Sequence, residues 1–145
     1  PYAVIGLVNF ACMLGLALFL FQVPVKGSAL VLIAGAALYV IATTGFGLLI
    51  SVFVRSQVAA IFAAGILTML PAVQFSGMFT PLSSLTGSAR TMGLVFPSTY
   101  FQQISLGSFT KALGFADLAP NLLWLAAIIL AYTMLARMFL ATQEK

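Results

Sequence analysis

The stretch ALVLIAGAALYVIATTGFGLLISVFV (residues 29–54) decides the fold. It contains no Asp, Glu, Lys, Arg or His. An α-helix rises about 1.5 Å per residue, so this run exceeds the ~20 residues that cross a hydrocarbon core of about 30 Å. Its surplus length implies tilt or protrusion. Two more uncharged runs flank it, Tyr2–Phe21 before and Val58–Phe79 after. A fourth, Leu122–Leu140, is interrupted only by Arg137. The reading is an all-α membrane protein and a single membrane module. Four spans are expected, about 2–22, 29–54, 58–79 and 120–140, with a re-entrant two-helix hairpin at about 81–114 before the last.

Composition agrees. The chain is 63% hydrophobic and 6% charged, with mean hydropathy +1.19. Soluble domains carry roughly 25% charged residues. A signal peptide supplies one short apolar core, not four spans. The chain enters a span directly after Pro1, so it is expected to be the C-terminal part of a longer polypeptide. The net charge is +4, but Lys26, Arg55, Arg90, Lys111, Arg137 and Lys145 are scattered singly. Without a basic patch interleaved with aromatics, no nucleic-acid binding is expected of this segment. The lone Cys12 lies within a span and reads as a small apolar packing residue.

The connections are short. Gln22 to Ser28 forms a turn built on Pro24 and Gly27, so the first two spans are neighbours. Thr43, Gly47 and Ser51 fall four apart on one helical face, a spacing that lets backbones approach closely in lipid; the alternative is that they line a pathway. Arg55-Ser56-Gln57 is a very short loop. The third span carries an alanine stripe (Ala59, Ala60, Ala63, Ala64). Pro71 lies deep inside it, where it removes a helical hydrogen bond and introduces a kink. Thr68, Gln74 and Ser76 add polarity around that kink. Gln74 needs a partner in lipid, met either by structural hydrogen bonding or on a substrate path.

Residues 80–121 are too polar to span and too apolar for an ordinary loop. Thr80-Pro81 reads as a helix start, with Leu82, Leu85, Ala89, Met92 and Phe96 on one face. Pro97 breaks that helix. Thr99-x-x-Gln102 fits a capping box for a second helix, Gly114 suits its C-terminal cap, and Asp117 is expected to cap the final span. Four crossings put both chain ends on one side. Positive charge does not choose the side, since Arg55, Arg137 and Lys145 oppose Lys26, Arg90 and Lys111. We take the Arg55 side, with the C-terminus, as cytoplasmic.

The sequence excludes most chemistry. It has no His, and its only carboxylates, Asp117 and Glu144, stand at opposite ends of the last span. No acid–base pair, metal cluster or serine–histidine dyad can be assembled from these residues. No phosphate-binding G-x-x-x-x-G-K-[ST] loop occurs. The segment is therefore expected to be non-enzymatic and to hold no cofactor. Intramembrane acids of the kind that relay protons are absent, so energy for any transport must arrive from elsewhere.

The order of motifs resembles a family. Thr-Thr-Gly-Phe-Gly-Leu-Leu-Ile-Ser (43–51) and Arg-Ser-Gln (55–57) precede a proline-containing span. Phe-Ser-Gly-Met-Phe-Thr-Pro (75–81), Phe-Pro-Ser-Thr-Tyr-Phe (96–101) and Ile-Ser-Leu-Gly-Ser-Phe-Thr-Lys-Ala-Leu-Gly-Phe (104–115) follow. This resembles the C-terminal half of type-2 ABC transporter permeases, and within them the subgroup whose permease follows ribosome-associated ATPase domains. The resemblance implies an ATP-driven exporter of the inner membrane, with ATP bound on a nucleotide-binding domain, fused or separate, and with a second permease half as partner. It places Arg55, Ser56 and Gln57 towards the ATPase, and Thr68, Gln74, Phe75 and Ser76 near the pathway. Pro71 and Gly77 become hinges. Pro81, Pro97, Thr99 and Gln102 fall in the re-entrant hairpin. Two rivals are a non-transporting membrane anchor for an ATPase or ribosome-associated factor, and a passive channel or carrier.

Overall fold

The computed structural model describes residues 1–75, 81–84 and 86–143. Every regular element among them is helical. Helix α1 (Tyr2–Gly15) widens at its end into a π-type turn, Leu16–Leu20. There the Phe21 N–H reaches the Leu16 carbonyl at 3.1 Å, and Val23 that of Ala17 at 3.0 Å. Gln22 adopts φ 51°, reversing the chain where the sequence places a turn. Ser28 then caps α2 (Ala29–Phe53), its hydroxyl oxygen accepting from the Val31 N–H at 3.4 Å. Helix α3 (Gln57–Phe75) contains Pro71. A short 3₁₀ turn, Leu82–Ser84, leads to α4 (Gly87–Val95), α5 (Pro97–Phe109) and α6 (Phe115–Gln143).

Four of these helices are long and apolar enough to cross a membrane: Tyr2–Leu20, Ala29–Phe53, Gln57–Gln74 and Phe115–Phe139. Among the described residues the structure is an all-α membrane protein. Its centre is a three-helix block. Val31 of α2, Tyr100 and Ile104 of α5, and Leu118 and Leu125 of α6 are buried together, flanked by Leu38, Leu113, Leu122 and Ile128. Lipid tails are as apolar as these side chains, so close van der Waals packing holds the block rather than removal from water.

Small residues make that packing possible. A Cβ on Gly35 would stand 3.0 Å from two carbons of Ile104, so α5 rests directly on the α2 backbone. Gly27 meets the far end of α5 more tightly. A Cβ there would lie 2.8 Å from the Leu113 carbonyl oxygen, and the Gly27 N–H donates to the Ser108 carbonyl at 2.8 Å.

Aromatic contacts set the register. Tyr39 stacks on Phe101 with centroids 4.8 Å apart, and Phe46 meets Phe96 at 5.7 Å. With Gly35 opposite Ile104, these contacts show α5 running antiparallel to α2. Tyr100 stacks on Trp124 at 6.1 Å, and Phe46 touches Tyr132 at 5.3 Å. Phe53 and Phe139 pair at 4.9 Å where α2 and α6 end, so these two helices run parallel. The α4–α5 bend thus lies level with Phe46, about 26 Å along α2 from Ala29 by the helical rise.

Several local expectations need correction. The helix expected from Pro81 starts at Gly87, whose φ of 58° favours glycine; Pro81 precedes only the 3₁₀ turn. Thr99 forms no capping box with Gln102. It sits inside the first turn of α5, where Phe96 is the residue before the helix and Pro97 occupies the first position. Its hydroxyl donates instead to the Gly93 carbonyl of α4. Gly114 does not end α5 either. The helix closes at Phe109, the Leu113 N–H returns to the Gly107 carbonyl at 3.1 Å, and Ala112 takes the left-handed conformation with φ 50°. Gly114 serves α6, its N–H donating to Asp117 Oδ2 at 3.2 Å. Asp117 therefore caps the final helix from inside its first turn, the position that a capping-box carboxylate takes.

Candidate functional site

Two surfaces hold the candidate site residues, the deep tip of the α4–α5 hairpin and the outward face of α3. At the tip, one helix ends and another begins inside the bundle. A helix leaves its last carbonyls without intrahelical partners, and water is not at hand in a membrane interior to satisfy them. Three hydroxyls from outside α4 do so. Thr99 donates to Gly93, Tyr100 donates to Leu94 at 2.8 Å, and Tyr132 reaches Val95 at 3.5 Å. Thr99 and Tyr100 belong to α5, whereas Tyr132 belongs to α6. The last span thereby touches the hairpin tip through the Tyr132 hydroxyl, while the same ring rests on Phe46 of α2.

The sequence singled out Thr99 in this group but neither tyrosine. Tyr100 and Tyr132 are 6% and 8% exposed, and two buried phenols among apolar neighbours need acceptors. That need was the available signal. Pro97 is buried at the first position of α5, where its missing N–H costs nothing. Gln102 is half-buried on the same helix, and Pro81 is exposed. Ser98 and Ser108 carry buried hydroxyl oxygens with no hydrogen-bond partner among the described residues.

Helix α3 contributes little to the block. Ala60, Ala63, Ala64, Thr68, Pro71 and Ala72 form its partly or fully covered side. Ile61, Ile66 and Met69 are 65%, 57% and 68% exposed on the other. There Gly65, Ile66, Met69, Leu70, Val73 and Gln74 line a shallow apolar groove of about 280 Å³. The candidate pathway residues are thereby separated. Thr68 shares the covered side with the hinge candidate Pro71, whereas Gln74 opens onto the groove, about 120° further round at 3.6 residues per turn. The Phe75 side chain, Ser76 and Gly77 lie outside the described residues, as do Thr80, Leu85 and Glu144.

Arg55, Ser56 and Gln57 are exposed at the α2–α3 corner. Ser56 accepts the Ala60 N–H at 2.9 Å, which starts α3. Arg55 borders an open depression of about 580 Å³ with Ser51, Val52, Phe53 and Val54. The face expected from Thr43, Gly47 and Ser51 is divided. Thr43 is half-buried and donates to its own helix at the Tyr39 and Val40 carbonyls, both at 3.0 Å. Gly47 and Ser51 instead line a larger groove of about 760 Å³, with Tyr2, Ile41, Thr44 and Leu48.

Comparison with known proteins agrees with this architecture. The model of the family described as "ABC-2 family transporter protein" matches residues 2–137. The probable multidrug ABC transporter permease YbhS of Escherichia coli (strain K12) is 31% identical over 101 residues, covering 70% of this chain and 27% of that protein. The inner membrane transport permease YhhJ of the same strain is 31% identical over 106 residues, covering 73% and 28%. The probable multidrug ABC transporter permease YbhR is 26% identical over 133 residues, covering 92% and 36%. The chain thus spans roughly a quarter to a third of the length of these relatives. No solved structure matches. A family match over nearly the whole chain, on four spans and an inserted hairpin, means that the chain belongs to the ABC-2 transporter family.

Proposed function

We propose that this chain is the membrane-embedded half of an ATP-driven exporter permease, working in the inner membrane with nucleotide-binding domains and a second permease half. The observation that carries the reading is the uneven covering of the helices. Helices α2, α5 and α6 share one packed core, while among the described residues the groove face of α3, on which Gln74 lies, is largely uncovered. A second permease half covers that face, and the two α3 faces would border the path of the cargo.

Energy then enters from outside. ATP binding on the nucleotide-binding domains closes them, the Arg55-Ser56-Gln57 corner receives that movement on the cytoplasmic side, and α3 moves against the α2–α5–α6 block. Pro71 assists because its missing N–H leaves one carbonyl of α3 without a helical partner and loosens the helix there. The hairpin dips into the membrane and returns on the outer side. An apolar groove with a single carboxamide suits amphipathic cargo, in keeping with the multidrug naming of YbhS and YbhR.

The test uses the full-length gene product. Purification in mild detergent followed by nucleotide crosslinking should reveal a nucleotide-binding domain, fused or bound in equal amount; its absence would reject the ATP-driven reading. Gln74→Leu should alter export without reducing membrane insertion. Unchanged export of every cargo tested would take Gln74 out of the pathway.

A further inference from the structure

Beyond the transport path, we propose that the cleft between the end of α5 and the start of α6 is a binding site for the headgroup of an ammonium-bearing phospholipid, of the phosphatidylethanolamine class. The cleft holds about 320 Å³ and is lined by Gln103, Leu106, Gly107, Lys111, Leu113, Asp117, Leu118 and Asn121. Drug-sized ligand pockets run from about 300 to 1,000 Å³, so this one suits a headgroup rather than a large cargo. Leu106, Leu113 and Leu118 supply its apolar lining, and the rest of the lining offers one cation, one carboxylate and two carboxamides. That set matches a zwitterion: Lys111 for the phosphate, Asp117 for the ammonium, and Gln103 and Asn121 for the ester oxygens and remaining N–H groups.

Position supports lipid as the occupant. The cleft opens at the end of the molecule where two membrane-length helices, α2 and α6, begin and the 21–28 turn returns onto Ser108. Trp124, 57% exposed, stands about two turns further into α6, and tryptophan favours the boundary between headgroups and hydrocarbon. Lys111 and Asp117 therefore lie at headgroup height. The backbone also presets both charges. The left-handed Ala112 and the Leu113-to-Gly107 bond fold the 110–114 segment back over α5, and the Gly114 N–H anchors one oxygen of Asp117 at 3.2 Å. The other carboxylate oxygen is left for a ligand. The inference also accounts for Lys111 lying on the side that the charge rule disfavours.

The test is lipid retention. The full-length protein would be purified from membranes of mixed phosphatidylethanolamine and phosphatidylglycerol and its bound lipid read by native mass spectrometry. The wild type should retain phosphatidylethanolamine over phosphatidylglycerol by about fivefold, the range an exposed charge pair can carry. Asp117→Asn keeps an oxygen for the Gly114 cap and should abolish the preference. Lys111→Gln should lower total retained phospholipid, while Lys26→Gln, beside the cleft but not lining it, should change neither quantity. Equal retention of the two lipids by the wild type would overturn the proposal. So would loss of retention in Lys26→Gln equal to that in Lys111→Gln, which would show diffuse attraction rather than a site.

Discussion

Helices α2 and α6, which pack with α5 into the block, and the outer helices α1 and α3 are all long and apolar enough to span, but they have opposite structural fates. In the most apolar window of α2, 28% of residues are buried, and in α6 22%; the values for α3 and α1 are 6% and 0%. Hydropathy does not explain this, because α1 has the highest value of the four at 2.4 and the lowest burial. What differs is the detail of the surfaces. The block joins Gly35 to Ile104, Tyr39 to Phe101 and Tyr132 to Phe46, a small residue and two rings each meeting a matching partner. The exposed face of α3 offers Ile61, Ile66 and Met69, which fit lipid or another protein equally well. In lipid, being apolar brings a helix into the membrane, and fitted shape and hydrogen bonds decide which helices stay together.

This contrast can be broken most forcefully at Gly35. Gly35→Leu would drive a side chain into Ile104 and should prevent accumulation of folded protein, read as loss of a monodisperse peak in detergent; the same change at Gly65, where a Cβ meets nothing within 4 Å, should be tolerated. Ile104→Ala should cost about 2 kcal/mol in reversible unfolding by denaturing detergent, the lower end of the large-to-small range because lipid removes much of the transfer contribution. Thr99→Val should cost about 1–2 kcal/mol by stranding the Gly93 carbonyl in the bundle. Met69→Ala, on the exposed face of α3, should stay within about 0.5 kcal/mol of the wild type. Smallest of all, Ser108→Ala should be neutral or slightly stabilising, since the buried hydroxyl it removes has no partner among the described residues. A large loss at Met69, or none at Ile104, would dissolve the distinction.

Much of the architecture was legible because bilayer thickness writes itself into sequence. Three uncharged runs and a fourth broken only by Arg137 correspond to the four membrane-length helices, and Pro24 with Gly27 marks the turn between the first two. The hairpin was legible as an anomaly but not in detail. Thr99-x-x-Gln102 has the letters of a capping box, yet tertiary structure put the hydroxyl to another use, because the carbonyl of Gly93 had no helical partner. Gly114 looked like a helix end, but the chain reverses at Ala112 and Gly114 serves the next helix instead. Local rules failed where a distant group competed for the same atoms. The resemblance places the candidate pathway residues on one span, and neither it nor the polarity of Thr68 and Gln74 reports the direction in which each side chain faces. Thr68 and Gln74 are near in sequence and face different surroundings. The clasp of Tyr100 and Tyr132 was hidden for a similar reason, since its partners are backbone carbonyls that no residue type reveals.

The central claim is that α2, α5 and α6 move as one body while α3 moves against its counterpart in a second permease half. Spin labels on the full-length protein, in a Cys12→Ala background, test it most directly. One pair would sit at Ile33 of α2 and Leu106 of α5; another would place Ile61 of α3 in both halves. On trapping with a non-hydrolysed ATP analogue, the account predicts an unchanged Ile33–Leu106 distance and a shift of several ångströms between the Ile61 positions. A shifted Ile33–Leu106 distance with fixed Ile61 positions would contradict it.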